Sequence, residues 1–204
     1  MSESIDQRKA QAIRLWNWGF GRELSFGSYD AYLATIPQVS ESLLGDDPDL
    51  PLLSLADPRL GLFKICKLIG IRSRRLGTID EDVAPFNERH ADPIEPFWFR
   101  HDDGRCNRGR RPDHCREELT GDILAGTALV GAMAYLHHPR IIVKDKHVID
   151  LPGSVSEEAR TCCIHLVVHG LLVEFNVIRH VDVAVASFGT LRFRRGVTAP
   201  DPKP

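Results

Sequence analysis

Cys162-Cys163-Ile164-His165-Leu166-Val167-Val168-His169-Gly170-Leu171-Leu172-Val173-Glu174-Phe175-Asn176-Val177 decides the fold class. Two runs rich in β-branched and aromatic residues, with no proline in either, flank the turn pair His169-Gly170, and this reads as a β-hairpin. The alternating residues 181–185 predict a further strand. After Phe188-Gly189, Leu191-Arg192-Phe193-Arg194 predict a last one. Upstream, Ile141-Ile142-Val143 and His147-Val148-Ile149 are short β-prone segments that end at Asp150-Leu151-Pro152-Gly153.

The N-terminal region reads differently. Residues 4–18 place Ile5, Ala12, Leu15 and Trp16 near one face, with Ser4 as N-cap and Gln7 three residues on, so they predict an amphipathic helix. Gly19 and Gly21 break it. Residues 28–36 predict a second helix stopped by Pro37, and Ser40-Glu41-Ser42 a brief third turn ending at Gly45. Asp46-Asp47-Pro48-Asp49-Leu50-Pro51 is acidic but lacks the alternating carboxylates of a calcium loop, so it reads as a surface loop. Asp57-Pro58 predicts a helix start, followed by residues 59–69 with Leu62, Phe63, Cys66 and Ile69 on one face and Gly70 as the stop. Arg72, Arg74 and Arg75 then read as a solvated basic knot. Residues 77–96, with Pro85, Pro93 and Pro96, predict a linker or long loop.

Between these regions lies the most chemically loaded stretch, residues 97–116. Phe97-Trp98-Phe99-Arg100-His101 predicts a strand, Asp103-Gly104 a hairpin turn, and residues 105–108 the return strand. A short helix is expected from Arg111 or Asp113 through Leu119. Another, rich in small residues, is expected over 127–137, stopped by Pro139 behind His137-His138. The expected fold class is α+β: N-terminal helices packed on a small, mainly antiparallel sheet from residues 97–108 and 141–195, with β-hairpins in the C-terminal half. The expected division is a helical region over residues 1–76, the linker over 77–96, an α+β region over 97–196 and a disordered tail over 197–204, within one compact domain.

The 204 residues suffice for a core without staples, and a net charge of -2 gives no global pull toward nucleic acid or anionic membrane. Five cysteines, two of them adjacent, form no disulfide framework of the secreted type. The polar opening and the lack of a long apolar run predict a soluble, cytoplasmic protein away from membranes.

Three chemistries fit residues 97–116. Arg100, Arg105, Arg108, Arg110, Arg111 and Arg116 outnumber Asp102, Asp103 and Asp113, and their forks suit phosphate, with Trp98 or Phe99 to stack on a base. Cys115 among these arginines near a helix start would be a thiolate nucleophile of lowered pKa, with His114 or His101 as base and Asp102 or Asp113 orienting it. Cys106, His114 and Cys115, with Cys162, Cys163, His165 and His169, offer zinc ligands, but without a C-x-x-C knuckle. The leading expectation is a binding or protein-interaction module whose contact residues are Trp98, Arg100, His101, Arg105, Arg108, Arg110, His114 and Arg116. Its partner would be a protein or an anionic ligand, nucleic acid included, with no cofactor or metal assigned. The alternative is a small enzyme for a phosphate-bearing or nucleotide ligand, with Arg105, Arg108 and Arg110 as clamps and His101 or His114 as general acid or base. A homodimer through the edge strand at His169-Gly170 is compatible with either.

Residues 97–153 also carry Trp98 in an aromatic strand, Asp103-Gly104-Arg105 with Asn107, His138-Pro139, and Asp150-Leu151-Pro152-Gly153. In these the chain resembles a family of uncharacterised bacterial proteins. The resemblance implies a bacterial or phage origin and no particular activity.

Overall fold

The computed structural model describes residues 2–73, 82–157 and 160–196. Arg74 and Arg75 of the basic knot, residues 77–81 of the expected linker and the tail 197–204 lie outside them.

The chain opens with three helices, α1 (Ser2–Asn17), α2 (Phe20–Glu23) and α3 (Tyr29–Ala34), the last capped by the Ser28 side chain. Strand β1 (Leu52–Ala56) and helix α4 (Leu62–Ile69) follow. The helix expected over 59–69 is split, because Gly61 at φ 73° separates a turn at Pro58–Leu60 from α4. Next come β2 (Ile71–Ser73), β3 (Val83–Pro85), β4 (Phe97–His101), α5 (Pro112–Glu117), β5 (Ile123–Ala125) and α6 (Ala128–His137). The chain closes with β6 (Val148–Ser156), β7 (Cys162–His169), β8 (Leu172–His180), β9 (Phe188–Thr190) and β10 (Arg192–Arg195). The fold is α+β, and no helix among the described residues is long and apolar enough to cross a membrane.

Two sheets form instead of one. The first runs β1-β4-β10-β5, antiparallel throughout; the second runs β2-β8-β7-β6-β3, with β9 also paired to β6. The second is antiparallel except where β2 joins β8 and β9 joins β6. The expected hairpin at 169–170 is its β7–β8 arm. Leu191 carries the chain from one sheet to the other, and its N–H donates to the Asp150 carbonyl. Strands β1 and β2 come from the N-terminal region, so the helical half is sewn into both sheets. The segment expected as a linker contributes β3, which pairs with β6.

Four further expected elements differ, and the first is 141–143, which forms a turn at Pro139–Ile141 and an isolated bridge from Val143 to His147 instead of a strand. Residues 105–108 are not a return strand, because both edges of β4 are already taken: Leu52 and Phe193 are the partners of His101 on its two sides. Residues 181–185 form no strand: Val181-Asp182 turn, and 183–185 belong to neither helix nor strand. Strand β6 does not end at Asp150 but runs through Pro152-Gly153 to Ser156. The missing Pro152 N–H falls within the register shift between Asp150 and Val155, where a sheet tolerates proline.

Alternation explains the sheet packing. Phe97 and Phe99 face the shared core with Phe193, while Trp98 and Arg100 point to the opposite face. In the second sheet a polar row crosses four strands at one level: Thr190 pairs with Asp150, Asp150 with His165, and His165 with Asn176. All four are buried.

The exposed edge of β1 is closed by side chains. The Gln11 amide donates to the Leu53 carbonyl at 2.7 Å and accepts from the Leu55 N–H at 2.7 Å, as a neighbouring strand would. His137 Nε2 donates to the Leu55 carbonyl and His138 Nε2 to that of Leu53. Helices α1 and α6 thereby satisfy a strand edge that would otherwise invite another chain. The far edge is treated alike, since Arg89 donates to the carbonyls of Gly121 and Ile123.

Three outcomes are expected. Gln11→Ala strands the buried Leu55 N–H, costing about 1–3 kcal/mol by urea unfolding. At Gly189 an added Cβ would lie 2.1 Å from the Gly104 carbonyl oxygen, so Gly189→Ala should cost at least about 2 kcal/mol with an unchanged m-value. Burial pushes His101 and His137 down to about 3 and His90 to about 4, so the unfolded chain takes up protons first as pH falls below about 6.5. Asp92, pushed up to about 6 by burial, acts in the opposite sense, one group against three. The urea midpoint should therefore fall between pH 7 and pH 4.5.

Candidate functional site

Two loops meet at one end of the molecule. The first follows β4 and is shaped by Asp102. Its Oδ1 accepts from the N–H groups of Gly104 (3.0 Å) and Arg192 (2.9 Å), and its Oδ2 from Arg192 Nε (2.6 Å) and Cys106 Sγ (3.2 Å). Gly104, at φ 76°, turns the chain against Gly189, and a short 3-10 turn, Arg105–Asn107, follows. Asn107 is buried and donates to the Thr190 carbonyl. The fold thus uses Asp102 and Asn107 to fasten a turn whose arginines remain outside.

The second loop follows α6. A turn at Pro139–Ile141 leads to a bridge between Val143 and His147, with Asp145 in the left-handed region at φ 59°. His147 is buried, and its Nε2 donates to the Asp103 carbonyl at 2.7 Å. Burial lowers its pKa. Arg105 donates to the Arg140 carbonyl (3.3 Å) and Arg108 to that of Lys146 (2.7 Å). These three bonds tie the turn that carries Arg105 and Arg108 to the loop that carries Arg140, Lys144 and Lys146, and all five residues are exposed. The carboxylates among them are Asp103, which pairs with Arg105 at 2.6 Å, and Asp145. Arg108, Arg140, Lys144 and Lys146 pair with no carboxylate among the described residues.

The eight contact residues expected from sequence separate. Arg105, Arg108, Arg110 and His114 are exposed. Arg110 pairs with Glu118, and His114 sits on α5. Trp98 is 3% exposed and its indole N–H donates to the Pro37 carbonyl, while Phe99 is fully buried, so neither ring offers a face to a base. Arg100 donates to the carbonyls of Leu43, Gly45, Leu50 and Pro51. His101 is fully buried between the Ser54 hydroxyl and the Asp102 carbonyl, which removes it from acid–base work. Arg116 donates to the Pro152 carbonyl and lies 3.4 Å over the Phe86 ring. Arg140, Lys144 and Lys146 are additions that sequence reasoning misses. Their spacing is ordinary, and the His147–Asp103 tie that brings them to the arginine turn has no local signature.

The thiol chemistry does not assemble. Cys115 faces inward from α5, and burial raises its pKa, the reverse of an activated thiolate. Cys106 is exposed, yet desolvation and the Asp102 carboxylate push it up to about 11. Among the described residues no three His, Cys, Asp or Glu side chains surround a point where a metal ion could sit.

A groove of about 950 Å³ lies elsewhere, between α1 and residues 43–53, with Gln7, Gln11, Arg100 and His138 in its lining. Arg105, Arg108, Arg110 and His114 do not line it, and the Arg100 guanidinium is held by carbonyls. The histidine and arginines expected to converge in a catalytic pocket therefore do not converge on this groove. Comparison of the chain with family models, with curated proteins and with solved structures gives no match.

Proposed function

We propose that the protein is a binding module for a polyanion, with Arg105, Arg108, Arg140, Lys144 and Lys146 as its contact surface. One observation carries the reading: two segments 35 or more residues apart in sequence are tied by hydrogen bonds, so that the loops carrying their exposed cations adjoin. A net charge of -2 makes that concentration local. The four of these cations that pair with no carboxylate among the described residues keep their full attraction for phosphates and release counterions when they meet them. The arginine forks suit bidentate contact, and the lysines act as point charges. The absence of an exposed aromatic ring at Trp98 or Phe99 favours backbone contact over base stacking. The enzymatic alternative has less support, because His101 is sealed inside and Arg110 pairs with Glu118.

The reading is tested by fluorescence anisotropy with a labelled oligonucleotide of about 20 residues, single-stranded and duplex, and with polyglutamate as the protein-like polyanion. The triple variant Arg140→Gln, Lys144→Gln, Lys146→Gln leaves every described side-chain hydrogen bond intact. It should lower the affinity at least about tenfold and flatten the log K against log salt slope by up to about 3, roughly 0.9 per lost phosphate contact. Tighter binding of polyglutamate than of either oligonucleotide would assign the surface to an acidic protein segment. An affinity that the triple variant leaves unchanged would overturn the proposal.

A further inference from the structure

The basic surface continues past Cys106 into arginines that the chain itself occupies. Arg192 Nη2 lies 3.2 Å from Cys106 Sγ, beside Arg105, and the same nitrogen reaches the Asp49 carbonyl at 3.4 Å. On the same strand Arg194 meets the Asp47 carboxylate at 3.1 Å and that of Asp122 at 2.8 Å. Arg100, the register partner of Arg194, donates to the carbonyls of Leu43, Gly45, Leu50 and Pro51. Three arginines on one sheet face thus touch residues 44–49 and their flanks, with Arg194 shared with Asp122 and Arg192 held chiefly by Asp102 at 2.6 Å.

That segment has the properties of a replaceable cover. Leu43 and Leu50 anchor it as buried residues, while Leu44, Gly45, Asp46, Pro48 and Asp49 between them are exposed. It contains three aspartates and no cation, and it forms neither helix nor strand. Asp47 folds it on itself by accepting from the N–H groups of Asp49 and Leu50. Its other flank borders the groove of about 950 Å³, so it is not packed against α1 there. The hydrogen bonds it gives the arginines come from carbonyl and carboxylate oxygens, the kind that phosphate oxygens replace.

Resting on the polyanion reading, we infer that the acidic segment 44–49 is an internal competitor. It holds Arg100, Arg194 and the Nη2 end of Arg192 in place of phosphates, and a polyanion that runs from Lys146 past Cys106 displaces it. The segment then sets a length threshold: a short anion stays on the five outer cations, and a long one recruits the inner three.

The test neutralises the segment with Asp46→Asn, Asp47→Asn, Asp49→Asn, which keeps the Oδ1 acceptor that closes the turn. A control, Asp6→Asn, Asp30→Asn, Glu88→Gln, removes the same charge from other elements. Against the same oligonucleotide of about 20 residues, the loop variant should bind at least about fivefold tighter than the control. Arg194→Gln should cost at least about threefold more affinity in the loop variant than in the native protein, where the loss of its Asp47 pair offsets the phosphate contact, a coupling that a displaced segment produces. If native protein and variants all fail to bind, the polyanion reading itself fails. If the native protein binds but the loop variant matches the control, or Arg194→Gln costs the same in both backgrounds, only the competitor is overturned. Should the loop variant not fold, the backbone amide resonances of Gly45 and Asp46 in the native protein decide: they shift on adding the oligonucleotide, or the inference falls.

Discussion

The Asp102 carboxylate is the interaction on which the arrangement rests. It accepts four hydrogen bonds, two from backbone N–H groups, one from a guanidinium and one from a thiol. A buried carboxylate with its lone pairs so filled is a strong local constraint, because losing any donor leaves charge unsatisfied in a poorly solvated place. The constraint does three things. It bends the chain out of β4 at Gly104, it fixes the start of β10 through Arg192, and it leaves Arg105 and Arg108 on the rim. Everything proposed for the surface inherits its geometry from that group.

Much of the fold is legible in the sequence. The β7–β8 hairpin, α3 with its Ser28 cap, and α6 with Thr127 as cap follow from local pattern and chemistry. Strand β1 is not, because Leu52-Leu53-Ser54-Leu55-Ala56 is a short apolar run whose strand character comes from pairing with β4, more than 40 residues away. The hairpin expected at Asp103-Gly104 fails for the converse reason. The dipeptide is a fair turn signal, but both edges of β4 are claimed by distant strands. Long-range pairing overrides a local preference in each case.

The candidate site is half legible. The arginines at 105, 108 and 110 are exposed as their sequence suggests, whereas Trp98, His101 and Arg100 turn out to be covered. Strand alternation cannot resolve this, since it says only that Phe97, Phe99 and His101 share one face and Trp98 and Arg100 the other. Which face meets solvent depends on the acidic segment that covers Arg100, and no local pattern announces such a cover. The second half of the surface, Arg140 to Lys146, is invisible without the bond from His147 to the Asp103 carbonyl.

The polar row across β9, β6, β7 and β8 carries a consequence for how the strands find their partners. Hydrophobic alternation punishes a slip of one residue, because it turns a strand's apolar side chains to the wrong face, but it is blind to a slip of two. Thr190, Asp150, His165 and Asn176 remove that blindness. A two-residue slip of any one strand keeps every face correct yet slides a buried polar group out of line with the polar side chains beside it. The row works as a vernier mark: alternation chooses the face, and four matched polar side chains choose the alignment.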